Sequence, residues 1–191
     1  MKKLLTLVFA AFLGFSMVAC SQSEETIIGG VDEPTEIVVT DTPQQEEAVV
    51  YTEEDLKDLV NTDIFLPSAI EHIFLGQVNR KGNASGYHYD GIENSPGYIL
   101  EGTKTEPDAN DVYTGQVEVD GVAKSGNKGY STFYPEKLSP QEVVDVINEA
   151  YENKEHVRSN TYRGDTSYGF VVEMYLTDDD KIISAFPIYE G

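Results

Sequence analysis

The chain has 191 residues, with 13 Lys and Arg against 34 Asp and Glu, a formal net charge of −21. Such a chain repels polyanions at long range, which excludes the wrapping of nucleic acid along a broad basic face. One cysteine excludes an intrachain disulfide, and the length leaves room for one domain with extensions.

Residues 1–19 read as a leader. Lys2 and Lys3 precede an apolar run from Leu4 to Ala19, too short and wrongly flanked for a stable membrane span. The run ends in Met17-Val18-Ala19-Cys20, and small residues ahead of a cysteine resemble a bacterial lipobox. That resemblance implies cleavage before Cys20 and a lipid on its sulfur. The expectation is an extracytoplasmic lipoprotein anchored at the bacterial cell surface.

Residues 20–50 carry Glu24-Glu25, Asp32-Glu33-Pro34 and Pro43-Gln44-Gln45-Glu46-Glu47, with few aromatics. This composition cannot bury enough surface to offset its ordering entropy, and it predicts a flexible acidic tether.

The globular domain is expected over residues 51–191. Thr52 followed by Glu53, Glu54 and Asp55 predicts a helix with Leu56, Leu59 and Val60 as its buried stripe. Pro67-Ser68 with Glu71 predicts a capping box opening a second short helix. Tyr98 to Leu100 and Val112 to Val119 read as strands, the latter turning through Asp120-Gly121 onto Val122-Ala123-Lys124. A loop from Ser125 to Gly129 leads to an extended piece, Tyr130 to Tyr134. Ser139-Pro140-Gln141-Glu142 is the clearest helix start, with Val143, Val144, Val146, Ile147 and Ala150 as core face. Residues 168–176 and 181–189 form a final hairpin about Asp178-Asp179-Asp180, a solvated turn without the spaced ligands of a calcium loop. Short helices first, then antiparallel sheets with one intervening helix, make an α+β class.

Two of the three histidines flank a basic turn. His72 sits in the amphipathic run Ala69 to Phe74, and His88 between Tyr87 and Tyr89. Gly76, Arg80, Lys81, Gly82 and Ser85 lie between them. Two imidazoles meeting across such a turn supply a general base and a general acid near neutral pH. The same spacing also reads as a helix-strand corner with two partly exposed histidines. His156, among charges, reads as a surface residue. No metal-ligand spacing is present, so neither a metal nor a cofactor is expected.

Glu71-His72-Ile73, Gly86-Tyr87-His88, Lys128 in Lys128-Gly129-Tyr130-Ser131-Thr132-Phe133, and Ser184-Ala185-Phe186-Pro187 together resemble the bacterial EndoU ribonucleases. They are also similar to the catalytic domain of the coronavirus uridylate-specific endoribonuclease. The resemblance covers about Tyr51 to Gly191. It implies cleavage of single-stranded RNA at uridylates by 2′-OH transphosphorylation, leaving a 2′,3′-cyclic phosphate and a 5′-hydroxyl. His88 matches the base, His72 the acid and Lys128 the ammonium that stabilises the phosphorane, with Thr132, Ser184 and Phe186 contacting the nucleotide. Lys124 reads as a strand-end lysine. Arg80, Lys81, Lys124 and Lys128 would form a positive island around the chemistry. RNA is the expected substrate, with an immunity protein of unknown identity as a further partner. The alternatives are a surface lipoprotein binding module on a catalytically inactive EndoU scaffold and, with less support, a metal-binding lipoprotein using His72, His88 and Asp90.

Overall fold

The computed structural model describes residues 49–191. The leader, the lipidation position Cys20 and the tether up to residue 48 lie outside the described residues.

The first element differs from its sequence reading. Only one 3-10 turn forms, Glu54–Lys57, and Val60 is exposed. Asp55 accepts from the backbone and hydroxyl of Thr52, which starts the turn. The helix stops because the Gln141 side chain takes both the N–H and the carbonyl of Val60, and Asn61 then turns into the left-handed region.

Helix α1 (Pro67–Phe74) follows, with Leu66 rather than Ser68 at its N-cap and no side-chain cap bond. Proline forces the preceding residue extended and is pre-set for the first helical position, so the helix begins at Pro67 itself. Ser68 is then inside the first turn, and the capping box expected there does not form.

Strands β1 (Gln77–Val78) and β2 (Ala84–Ser85) make a small hairpin in the turn between the two histidines. Next come β3 (Gly97–Ile99), β4 (Tyr113–Val119), β5 (Val122–Ala123) and β6 (Tyr130–Phe133). β4 is the hub of this sheet. It pairs antiparallel with β3 and β5 over its second half and with β6 over its first. Its alternate residues Tyr113, Gly115, Val117 and Val119 are buried, as a half-covered strand requires. Asp120 and Gly121 both have positive φ, which matches the expected two-residue hairpin turn.

Helix α2 (Pro140–Glu152) has the expected start: Ser139 and Glu142 form a reciprocal capping box with Pro140 in the first turn. Its buried face is Val143, Val144, Val146, Ile147 and Ala150, with Pro140. A second antiparallel sheet completes the chain, in the order β10-β9-β8-β7. It contains β7 (Glu155–Arg158), β8 (Thr161–Asp165), β9 (Val171–Leu176) and β10 (Ile182–Pro187). The fold is therefore α+β.

Two apolar cores result. The larger lies where α1 and α2 pack on the inner face of the β7–β10 sheet, around Ile73, Phe74, Ile147, Met174, Leu176 and Ile182. The smaller joins Tyr87, Tyr113, Val117, Val119 and Phe133. Tyr87 enters the smaller core and Tyr89 the larger. His88, between them, stands at the seam.

Candidate active site

Backbone bonds at the end of α1 set the site. A helix leaves its last carbonyls without intrahelical partners. Here the carbonyls of His72 and Ile73 accept from the N–H groups of Tyr87 (2.9 Å) and His88 (2.7 Å). The His88 carbonyl in turn accepts from Tyr134 N–H at 3.0 Å, just beyond β6. His88 is thereby stitched between α1 and the β4 sheet.

The close approach requires Gly86. Its φ is +80°, and a Cβ there would stand 2.0 Å from the His72 carbonyl oxygen. The two imidazole rings end up 6.2 Å apart between centroids.

Each ring has one nitrogen engaged. His88 Nδ1 is 2.9 Å from the Thr132 carbonyl, which only accepts, so Nδ1 carries the proton and Nε2 keeps its lone pair. His72 Nδ1 faces the Gln77 amide nitrogen at 3.0 Å, so it accepts and its proton sits on Nε2. Burial, then the charge of Lys124, lowers the His72 pKa to about 4. The same causes, with His72 added, hold His88 well below its ordinary value, against a smaller upward pull from the Thr132 carbonyl.

Lys124 leaves β5 directly and turns its ammonium inward. Nζ donates to Ser131 Oγ at 2.7 Å and reaches the Gly86 carbonyl at 3.4 Å. Burial lowers its pKa to about 8.

These groups line one cavity of about 630 Å³, together with Thr132, Ser184, Phe186, Tyr175, Glu173 and Asn127. The far wall is the outer face of the β7–β10 sheet, where Ser184 is paired with Tyr175 and Phe186 with Glu173. Phe186 stacks on His88, with centroids 4.9 Å apart and planes at 20°. Its other neighbour is Tyr175 at 5.8 Å. The Thr132 hydroxyl is buried and has no protein partner.

Thus His72, His88, Thr132, Ser184 and Phe186 converge as the sequence reading required. Lys128 does not. It is exposed and absent from the cavity wall, where Lys124 stands instead. The reason is local: Asn127, Lys128 and Gly129 have successive positive φ values of 52°, 55° and 91°, a left-handed turn that carries Lys128 out to solvent. Arg80 and Lys81 sit in the exposed β1–β2 turn, so the expected positive island contracts to one half-buried ammonium. Gln77, Ser131 and Tyr175 were not singled out in advance. Asp90 accepts from the Tyr87 hydroxyl instead of facing the histidines. Among the described residues, no group of three His, Cys, Asp or Glu side chains could hold a metal ion. His156 is exposed on β7, with Nε2 against the Ser159 carbonyl.

The profile of the bacterial EndoU nuclease matches residues 67–189, from the first residue of α1 to just past β10. The chain belongs to the bacterial EndoU nuclease family. A curated protein named "Toxin" from Bacillus cereus is 45% identical to this EndoU domain over 134 residues, which cover 70% of the chain. The aligned part is 25% of that protein, so the chain spans about a quarter of its relative's length. No solved structure matches the chain. The EndoU match spans all the cavity residues named above.

Proposed function

We propose that the domain is an endoribonuclease that cleaves single-stranded RNA by internal transphosphorylation. The observation that carries this reading is the convergence of two imidazoles in complementary tautomers with one half-buried ammonium. His88 Nε2, with its lone pair free, takes the proton of a ribose 2′-OH. The 2′ oxygen bonds to the adjacent phosphorus. Lys124 offsets the charge that builds on the phosphorane oxygens. The P–O5′ bond breaks, and the leaving oxygen takes a proton from His72 Nε2. The products are a 2′,3′-cyclic phosphate and a 5′-hydroxyl; His88 ends protonated and His72 deprotonated.

His72 must enter this step as imidazolium, yet it is neutral in the free protein at pH 7. The substrate supplies the missing bias. A phosphate monoanion between Lys124 and His72 offsets the lysine charge and raises the His72 pKa. The Gln77 amide can then present its oxygen to the new Nδ1–H. Ser184 and the unpartnered Thr132 hydroxyl are the groups suited to a uracil edge, which supports uridylate preference. One face of Phe186 is taken by His88, so its first role is to hold that ring.

The name of the Bacillus cereus relative supports a toxin-like role, with an immunity protein as the cognate partner. Lipid anchoring through Cys20 and display outside the membrane belong to the same proposal; Cys20→Ser should abolish membrane retention.

The test is single-turnover cleavage of a uridylate dinucleotide, read as cyclic-phosphate ends. His72→Ala, His88→Ala and Lys124→Ala should each lose roughly a hundredfold or more. Lys128→Ala and His156→Ala should match the parent. No cleavage by any of the six proteins, parent included, would leave the inactive binding scaffold as the better account.

A further inference from the structure

We infer that Ser131 is a positioning residue, whose hydroxyl locks the Lys124 ammonium to the backbone that holds both histidines. The inference deepens the nuclease reading and rests on Lys124 as the counter-charge of the reacting phosphate.

Ser131 lies on β6, opposite Gly115 of β4, and is 2% exposed. A serine hydroxyl has one proton and two lone pairs. Its proton is committed, because Ser131 Oγ donates to the Gly86 carbonyl at 2.9 Å. A lone pair therefore faces Lys124 Nζ, 2.7 Å away. Nζ also reaches the Gly86 carbonyl at 3.4 Å, which closes a triangle of Ser131 Oγ, Lys124 Nζ and Gly86 O. Two of the three ammonium hydrogens are directed by this triangle, leaving the third for the cavity.

Gly86 is the anchor of the arrangement. Its successors Tyr87 and His88 bond to the carbonyls of His72 and Ile73. The distance from the ammonium to the two rings is thus set through one hydroxyl and one peptide group, not through the flexible four-carbon stem of the lysine. Lysine brings high rotamer entropy, and a displacement of about 1 Å in a reacting geometry can lose roughly a hundredfold in rate.

A hydroxyl accepting from Nζ also favours the charged amine. It works against burial, which pulls the Lys124 pKa down to about 8. Removing the hydroxyl should lower that value further. A serine that only fills space would change stability and leave the lysine titration alone.

The experiment follows Lys124 by NMR in protein labelled at lysine Cε, with its signal assigned by Lys124→Arg, and in parallel the pH profile of single-turnover cleavage of a uridylate dinucleotide. Ser131→Ala should move the lysine midpoint and the alkaline limb down together, on the order of one pH unit. Its rate at pH 7 should drop roughly tenfold to a hundredfold. Ser131→Thr keeps the hydroxyl and should restore both readouts. If that variant cannot accommodate its extra methyl, the Ser131→Ala titration decides alone. A lysine midpoint and alkaline limb unchanged in Ser131→Ala, with only a lowered melting temperature, would overturn the inference. If neither parent nor variant cleaves RNA but the midpoint still falls in Ser131→Ala, the nuclease reading fails and the positioning role stands.

Discussion

Replacing Gly86 by alanine probes fold and site through one methyl group. The φ of +80° disfavours any L side chain, at about 1–2 kcal/mol. The new Cβ would also lie 2.0 Å from the His72 carbonyl oxygen, far inside contact distance. The segment must retreat, and the Tyr87–His72 and His88–Ile73 backbone bonds go with it. Each such bond contributes roughly 0.5–1.5 kcal/mol. The total loss should be about 2–5 kcal/mol by the same two estimates. Gly82 provides the control, since its φ is +77° but nothing lies within 4 Å of its added Cβ. Gly82→Ala should therefore show the conformational penalty alone, about 1–2 kcal/mol. Urea unfolding at pH 7 measures both, and RNA cleavage should disappear in Gly86→Ala while surviving in Gly82→Ala. Stabilities of the two variants within roughly 0.5 kcal/mol of each other, inside ordinary surface-substitution scatter, would refute the close-approach argument.

The depressed His72 pKa makes stability depend on acidity. Between its unfolded value near 6.5 and about 4, the unfolded chain binds the proton and the native protein does not, so stability falls as pH falls through that window. The drop attributable to His72 should reach about 3 kcal/mol, read as the difference between parent and His72→Gln in urea melts at pH 7 and pH 4. Equal pH dependence in the two proteins would count against it. Lys124 should set the alkaline limb of cleavage near pH 8, where its ammonium discharges. Lys124→Arg should carry that limb out of the accessible range, because guanidinium stays charged, and a limb that remains near 8 would assign it to another group. Ser139→Ala removes the α2 cap and should lower stability by about 1 kcal/mol without changing the cleavage rate, measured by thermal melts and dinucleotide turnover.

Where local chemistry decides, the sequence was legible. Ser139 and Glu142 start α2 by satisfying each other's backbone N–H groups, with Pro140 in the first turn between them. Asp120-Gly121 turns the β4–β5 hairpin because the turn needs two positive φ values. Where distant residues decide, it was not. The 54–60 segment is cut to one turn by Gln141, which lies 81 residues away from Val60. The strands β7 and β8 are short and polar, the first exposed throughout and the second buried at Thr161 and Gly164 without a period of two, so no alternation marks them. The site shows the same division. The ordered motifs point to both histidines, Thr132, Ser184 and Phe186, and all five line the cavity. The lysine on the cavity wall is not legible in this way, because counting residues to Thr132 favours Lys128, which the left-handed turn at Asn127 and Lys128 leaves exposed. A strand-end lysine directly after Val122-Ala123 was the available signal. Whether it points in or out depends on Ser131 and Gly86, which only the folded chain brings beside it.

The bond between Leu66 N–H and the Ile182 carbonyl, and the return bond from Ile182 N–H to the Ile64 carbonyl, join the approach to α1 with the start of β10. They close a loop of well over a hundred residues, and Phe186, four residues further on, supplies the ring that supports His88. On a ribosome, His72, His88 and Lys124 all emerge before that strand. A partly made chain thus holds every reacting group but lacks the wall that aligns them. Contacts so remote in sequence form late and slowly. On the nuclease reading proposed above, RNA cleavage would then begin only once β10 has been made, and the shorter nascent chain would be inactive.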